Sequence, residues 1–191
     1  MRLEILDRGH RLHTKAILAL IRVFSGHPVV DAVKLAFYRP DFYGGGPLTH
    51  EAMRGRSDWS IGDRELMAAY ISKANECPFC VSSHSSTSTM FYGDETKVAE
   101  TLTDLDSAPI DEPLRATLRM LGKLTRQNSI DADDIRAVLD ASVSPQQIKD
   151  ALAVSFAFNV TDRLANTFGF AVASPEAMKA GARHLLKRGY R

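Results

Sequence analysis

The sequence predicts an all-α fold, a single-domain helical bundle spanning residues 1–191. Three observations predict it. Apolar residues recur at steps of three and four along most of the chain. Helix start and stop residues, chiefly Ser-Pro pairs and isolated glycines, bracket those segments. No stretch alternates apolar and polar side chains over enough residues to make a strand.

The elements follow in order. Ile17, Leu20, Ile21 and Phe24 form one helical stripe, and Gly26 ends it. Pro28 opens a second apolar stretch over residues 29–38. Residues 39–47 contain Pro40, Gly44, Gly45, Gly46 and Pro47 and are expected to be a loop. Ser60, with Asp63 three residues on, caps a helix over residues 61–75. The next helix begins at Pro78, runs to Tyr92 and closes at Gly93. A short helix is expected within residues 94–105. A longer one over residues 112–127 carries Leu114, Leu118, Leu121 and Leu124 on one stripe, and residues 131–141 follow. Ser144-Pro145 opens the longest segment, which reaches Phe168 before Gly169, and Ser174-Pro175 opens the last helix. Residues 60–75 and 144–159 also echo one another, each running from a Ser cap through an Ala-rich helix to Asn. The echo is faint, since two Ala-rich helices resemble one another by composition alone.

Composition narrows the function. A chain of 191 residues buries about 70% of the surface its unfolded form exposes, so its core needs no disulfide or metal. With 24 Lys+Arg against 23 Asp+Glu the net charge is +1, which argues against a nucleic-acid or membrane-surface binder. The apolar run at residues 16–21 is bounded by Lys15 and Arg22, too short for a membrane span and poorly built for a signal peptide. A cytoplasmic protein is expected. In a reducing compartment a cysteine pair points to catalysis or metal binding before structure.

The chain has two cysteines, and they lie in Cys77-Pro78-Phe79-Cys80 with His84 four residues on. Pro78 disfavours helix in the residue before it, so Cys77 is expected near the N-cap and Cys80 in the first turn. Unpaired N–H groups there favour a negative charge, and such positions lower a thiol from its ordinary value of about 8.5. His84 shares a helical face with Cys80 and can take its proton. A Cys80 thiolate can then attack a peroxide O–O bond to give a sulfenic acid, and Cys77 can condense with it to a disulfide. An external dithiol would reset the pair. Glu65 precedes Cys77 by twelve residues, about 18 Å along a continuous helix. If the chain breaks at residues 75–78 and folds back as a hairpin, Glu65 faces the stretch from His84 to Ser88 and can hydrogen-bond the imidazole.

Glu65 with Cys77-x-x-Cys80-x-x-x-His84 resembles the active-site signature of the alkyl hydroperoxidase D-like family, within the carboxymuconolactone decarboxylase superfamily. Arg64-Glu65-Leu66-Met67-Ala68-Ala69 and Asn75-Glu76-Cys77 resemble its flanks. Phe158-Asn159, Arg163, Asn166 and Phe168-Gly169-Phe170 resemble the C-terminal helix of its peroxidase-related branch. The resemblance implies an all-helical homo-oligomer, a thiol peroxidase or disulfide adaptor with no metal or flavin of its own. It implies Cys80 as the peroxidatic thiol, Cys77 as the resolving thiol, and Glu65 and His84 as a proton relay. A hydroperoxide would be the substrate and a lipoyl- or thioredoxin-like dithiol the reductant. One departure stands out. Well-characterised members carry a further His between the cysteines, where this chain has Phe79.

Three rivals stand beside this reading. A non-peroxidatic thiol-disulfide adaptor would keep the dithiol and lose peroxide turnover. A zinc-stabilised binding protein would use Cys77, Cys80 and His84, with Glu65 or the pair His10 and His13 completing a tetrahedral site. A decarboxylase or lactone-processing enzyme of the wider superfamily would leave the redox pair without a purpose. The basic end formed by Lys179, Arg183, Lys187, Arg188 and Arg191 reads as a solvated helix face. Trp59, Phe37, Tyr38, Phe42 and Tyr43 read as packing residues.

Overall fold

The computed structural model describes residues 3–43 and 46–190. Among them are twelve helices and no strand: α1 (Ile5–Arg8), α2 (Leu12–Ser25), α3 (Asp31–Tyr38), α4 (Pro40–Tyr43), α5 (Gly46–Arg54), α6 (Ile61–Ala74), α7 (Pro78–Tyr92), α8 (Glu95–Thr103), α9 (Glu112–Gln127), α10 (Ala132–Asp140), α11 (Pro145–Phe168) and α12 (Pro175–Arg188). The predicted boundaries of α6 through α12 agree to within a residue or two. Ser60 and Ser144 both make full capping boxes, with Asp63 and Gln147. Gly93 and Gly169 close α7 and α11 with positive φ, a conformation that costs glycine nothing.

The expected loop at residues 39–47 is corrected. Pro40 starts the one-turn helix α4, and Gly46-Pro47 starts α5, because proline is tolerated in a first turn where the N–H is unpaired anyway. Gly44, Gly45 and Arg191 lie outside the described residues, as does the side chain of Phe42.

The middle of the bundle is α6. Leu66, Met67, Ala68, Ala69, Ile71 and Ser72 are buried on it, together with Arg64 and Glu65, so it is enclosed around most of its circumference. It packs against α7, α9 and α11, and α12 packs against α7. Leu114, Leu118 and Leu121 of α9 meet Val154 and Phe158 of α11 in the same core. Each such side chain fully buried contributes about 1.5–3 kcal/mol. Trp59 joins this core and donates its indole N–H to the Gln147 carbonyl at 2.8 Å.

The α6–α7 connection sets up the site. Asn75 caps α6, Glu76 takes φ 52°, and the Cys77 N–H bonds the Ser72 carbonyl at 2.9 Å. The chain reverses there, so α6 and α7 form the expected hairpin; Ser88 Oγ donates to the Gly62 carbonyl at 3.1 Å across it. On the periphery α2 buries Thr14 but leaves Leu12, Leu20, Val23 and Phe24 exposed. Among the described residues, no helix is long and apolar enough to cross a membrane.

Candidate active site

Cys77 is the N-cap of α7 and Cys80 lies in its first turn. Both are free thiols and both are only 1% exposed. The third member of their group was not expected. Asp162 of α11 is fully buried, and its carboxylate and the two sulfurs all lie within 4.8 Å of one another. Ser72 Oγ donates to Asp162 Oδ1 at 2.9 Å and Asn75 Nδ2 donates to Oδ2 at 2.9 Å. Asn75 also donates to Asn159 at 3.2 Å, and Asn166 donates to the Asn75 carbonyl at 3.1 Å. One face of α11 therefore grips the α6–α7 turn.

The two thiols are unequal. The Cys77 thiol is lowered, chiefly by hydrogen bonding with the Cys80 side chain. Cys80 is pushed far up, first by that same bond, then by burial and by the charge of Asp162. A lowered thiol is thus found at Cys77, where the Cys80 side chain contributes more than the backbone N–H of the helix start, and the opposite is found at Cys80. Burial raises the Asp162 carboxyl, against hydrogen bonds from Asn75, Cys80 and Ser72. Phe79 meets Phe170 edge to face at 5.2 Å and, with Met178, Ala165, Val30 and Ala32, covers the sulfurs with an apolar roof.

One turn further along α7, His84 is 4% exposed and its Nδ1 lies 2.7 Å from Glu65 Oε2. Ionised Glu65 only accepts, so Nδ1 carries the hydrogen and Nε2 is left for proton exchange. The other carboxylate oxygen takes two donors, Arg54 Nη2 at 2.6 Å and the Tyr190 hydroxyl at 2.9 Å. Burial pushes the Glu65 carboxyl up, but His84 and Arg54 outweigh it and hold it below its ordinary value. Burial and the Glu65 charge keep Tyr190 well above its ordinary range, so it remains a donor. Phe158 packs edge-on to the imidazole at 4.4 Å, and Tyr190 stacks on its other side with centroids 6.3 Å apart.

All four sequence-predicted residues are brought into one region, and the hairpin joins Glu65 to His84 as expected. The donor set of the zinc alternative is not assembled. His84 is outside the group formed by the sulfurs, Glu65 is taken by His84, Arg54 and Tyr190, and His10 bonds the Lys34 carbonyl at 2.8 Å. Sequence reasoning missed Asp162, Arg54 and Tyr190. A signal existed for Asp162: Phe158, Asp162 and Ala165 fall at i, i+4 and i+7, which puts a carboxylate on the buried stripe of an apolar helix. Arg54 and Tyr190 carry no comparable mark.

No family model and no curated protein matches the sequence. Solved structures do. A peroxidase-related protein from Silicibacter sp. TM1040 is 21% identical with a TM-score of 0.74, covering 90% of each chain. An alkylhydroperoxidase AhpD core protein from Ralstonia eutropha JMP134, also described as peroxidase-related, is 20% identical with a TM-score of 0.74, covering 91% of this chain and 92% of that one. The debrominase Bmp8 is 14% identical with a TM-score of 0.68, covering 92% and 95%. The chain has the all-α fold of these proteins.

Proposed function

From this shared AhpD-type fold, we propose that the chain is a thiol-dependent peroxidase that cycles Cys77 and Cys80 between dithiol and disulfide. The observation that carries the reading is the juxtaposition of a buried dithiol with the His84–Glu65 pair one helical turn away. Peroxidase-related relatives in fold support the same class of chemistry.

The Cys80 thiolate attacks the terminal peroxide oxygen. The S–O bond forms, the O–O bond breaks, and the alkoxide leaves as an alcohol on taking a proton. Cys77 then attacks the sulfenic sulfur; the S–S bond forms and water leaves. Sulfur loses the two electrons that the peroxide gains. The two protons lost by the thiols are those gained by alcohol and water, and His84 held by Glu65 takes part in their relay. The apolar roof of Phe79, Phe170 and Met178 suits an organic hydroperoxide. A lipoyl- or thioredoxin-like dithiol returns the disulfide to the reduced state. The exposed apolar side chains of α2 support assembly as a homo-oligomer.

The test is intact mass and free-thiol count of the reduced protein before and after one equivalent of cumene hydroperoxide, with chelator present. Loss of both thiols with a mass decrease of two hydrogens is expected, and Cys77→Ser protein should accumulate a trappable sulfenic acid on Cys80. Survival of both thiols would overturn the peroxidase and move the adaptor reading to the front.

A further inference from the structure

Cys80 is the poorer acid of the pair, and a peroxidatic thiol must lose its proton. We propose that Asp162 is the base that takes the Cys80 proton and passes it to the departing alkoxide. The proposal rests on the dithiol reading above and adds a catalytic residue to it.

The geometry is a sealed cluster. Asp162 is fully buried, and its carboxylate is within 4.8 Å of both sulfurs. The groups facing it are Ser72 and Asn75 from the end of α6, and Cys77, Cys80 and, further along, His84 from α7. Ser72 and Asn75, which donate to it, are neutral. Putting a second charge into such a pocket is costly. A carboxylate beside two thiols carries one negative charge. Transfer of a proton from Cys80 Sγ to Asp162 breaks an S–H bond and forms an O–H bond, and the cluster charge is unchanged. A thiolate therefore forms without bringing a new charge into the interior. Attack on the peroxide moves the charge onto the alkoxide, and the Asp162 carboxyl hands its proton to that oxygen. The carboxylate is regenerated, ready for the next turnover. Ser72 and Asn75 hold both carboxylate oxygens, so the group is oriented before the proton moves.

The experiment uses the Cys77→Ser protein, in which Cys80 is the only thiol. Two rates are followed against pH, with and without Asp162→Asn: alkylation of Cys80 by iodoacetamide, which needs no peroxidase activity, and sulfenic acid formation with cumene hydroperoxide. With Asp162 present, thiol and carboxyl titrate as a coupled pair and the alkylation profile shows two steps. Asp162→Asn should collapse it to one step at lower pH, because the opposing charge is gone. Sulfenic acid formation should nevertheless slow by ~10²-fold or more, the scale of a lost general acid–base, and Asp162→Glu should recover part of it. An unchanged alkylation profile and an unchanged peroxide rate in Asp162→Asn overturn the proposal, while continued oxidation leaves the peroxidase intact. A two-step profile with no peroxide reaction in either protein sinks the peroxidase and with it the catalytic role assigned to Asp162. Asn75→Ala, which removes one donor without touching either sulfur, should shift the two-step profile upward; an unmoved profile there also overturns the proposal, should Asp162→Asn not fold.

Discussion

Replacing Glu65 by Gln tests the centre of the proposed relay. Glu65 is fully buried and receives Arg54, Tyr190 and His84. Gln keeps the shape and removes the charge. Arg54, whose side chain is 8% exposed, then loses the anion in its surroundings. Removing one member of a buried ion pair costs about 3–5 kcal/mol, because the partner stays buried and uncompensated. In a protein of this size each kcal/mol is worth roughly 2–4 °C in midpoint, so a fall of about 6–20 °C is expected. The amide NH2 turned toward His84 also forces Nδ1 to become the acceptor, which moves the ring hydrogen to Nε2. A comparable carboxylate-to-amide change behind a catalytic histidine costs about 10⁴ in rate; here a large loss of peroxide-driven disulfide formation is expected while thiol alkylation persists. The pH dependence carries its own sign. Glu65 sits lower in the folded protein than in the unfolded chain, so its contribution is present above about pH 4.3 and is lost as pH falls through the folded value. The variant should therefore show a flatter stability profile in acid. A midpoint within 2 °C of the parent at neutral pH, with unchanged oxidation kinetics, would refute this account of the Glu65 cluster.

Asp162→Asn should behave in the opposite sense for stability. Burial raises that carboxyl, so ionised Asp162 costs stability above its folded value, and the variant should melt at the same temperature or higher at pH 7 by differential scanning calorimetry. Tyr190→Phe removes one hydrogen bond to an ionised partner; a loss of about 1.5–3 kcal/mol in urea unfolding is expected, with the imidazole still in place. Glu76 is exposed and holds φ 52°, a conformation costing an L-residue about 1–2 kcal/mol. Glu76→Gly should be neutral or stabilising in the same assay, and a clear destabilisation would show that the Glu76 side chain has a role of its own.

Much of this architecture could be read from the chain because its signals are local. Ser60, Ser144 and Ser174 mark helix starts by hydrogen bonds made three residues away. The Cys77–Cys80–His84 spacing lies within α7, and one assumption, a reversal at residues 75–78, sufficed to bring Glu65 to His84. What stayed hidden depends on packing between distant segments. Ser72 and Asp162 are ninety residues apart, and Tyr190 lies 125 residues from Glu65. No spacing rule reaches that far. The raised Cys80 thiol stayed hidden for the same reason: the helix terminus is visible in sequence, whereas the bond shared with Cys77, the burial and the Asp162 charge arise only in the fold. Helix α5 escaped because its apolar content is thin and its start is rich in glycine, yet it delivers Arg54.

The lateness of Tyr190 bears on how the site matures. Contacts joining segments this far apart form slowly, since the intervening chain must be ordered first. α6 and α7 are neighbours in sequence and can pair early, presenting the dithiol as a hairpin without its cover. Phe170 and Met178 reach the sulfurs only as the chain beyond α11 folds back. A chain whose α12 has yet to dock would leave the sulfurs without Met178 above them. Oxidation before α12 docks would lock the Cys77–Cys80 turn early, so under the dithiol cycle proposed above the reducing power of the surroundings bears on assembly as well as on turnover.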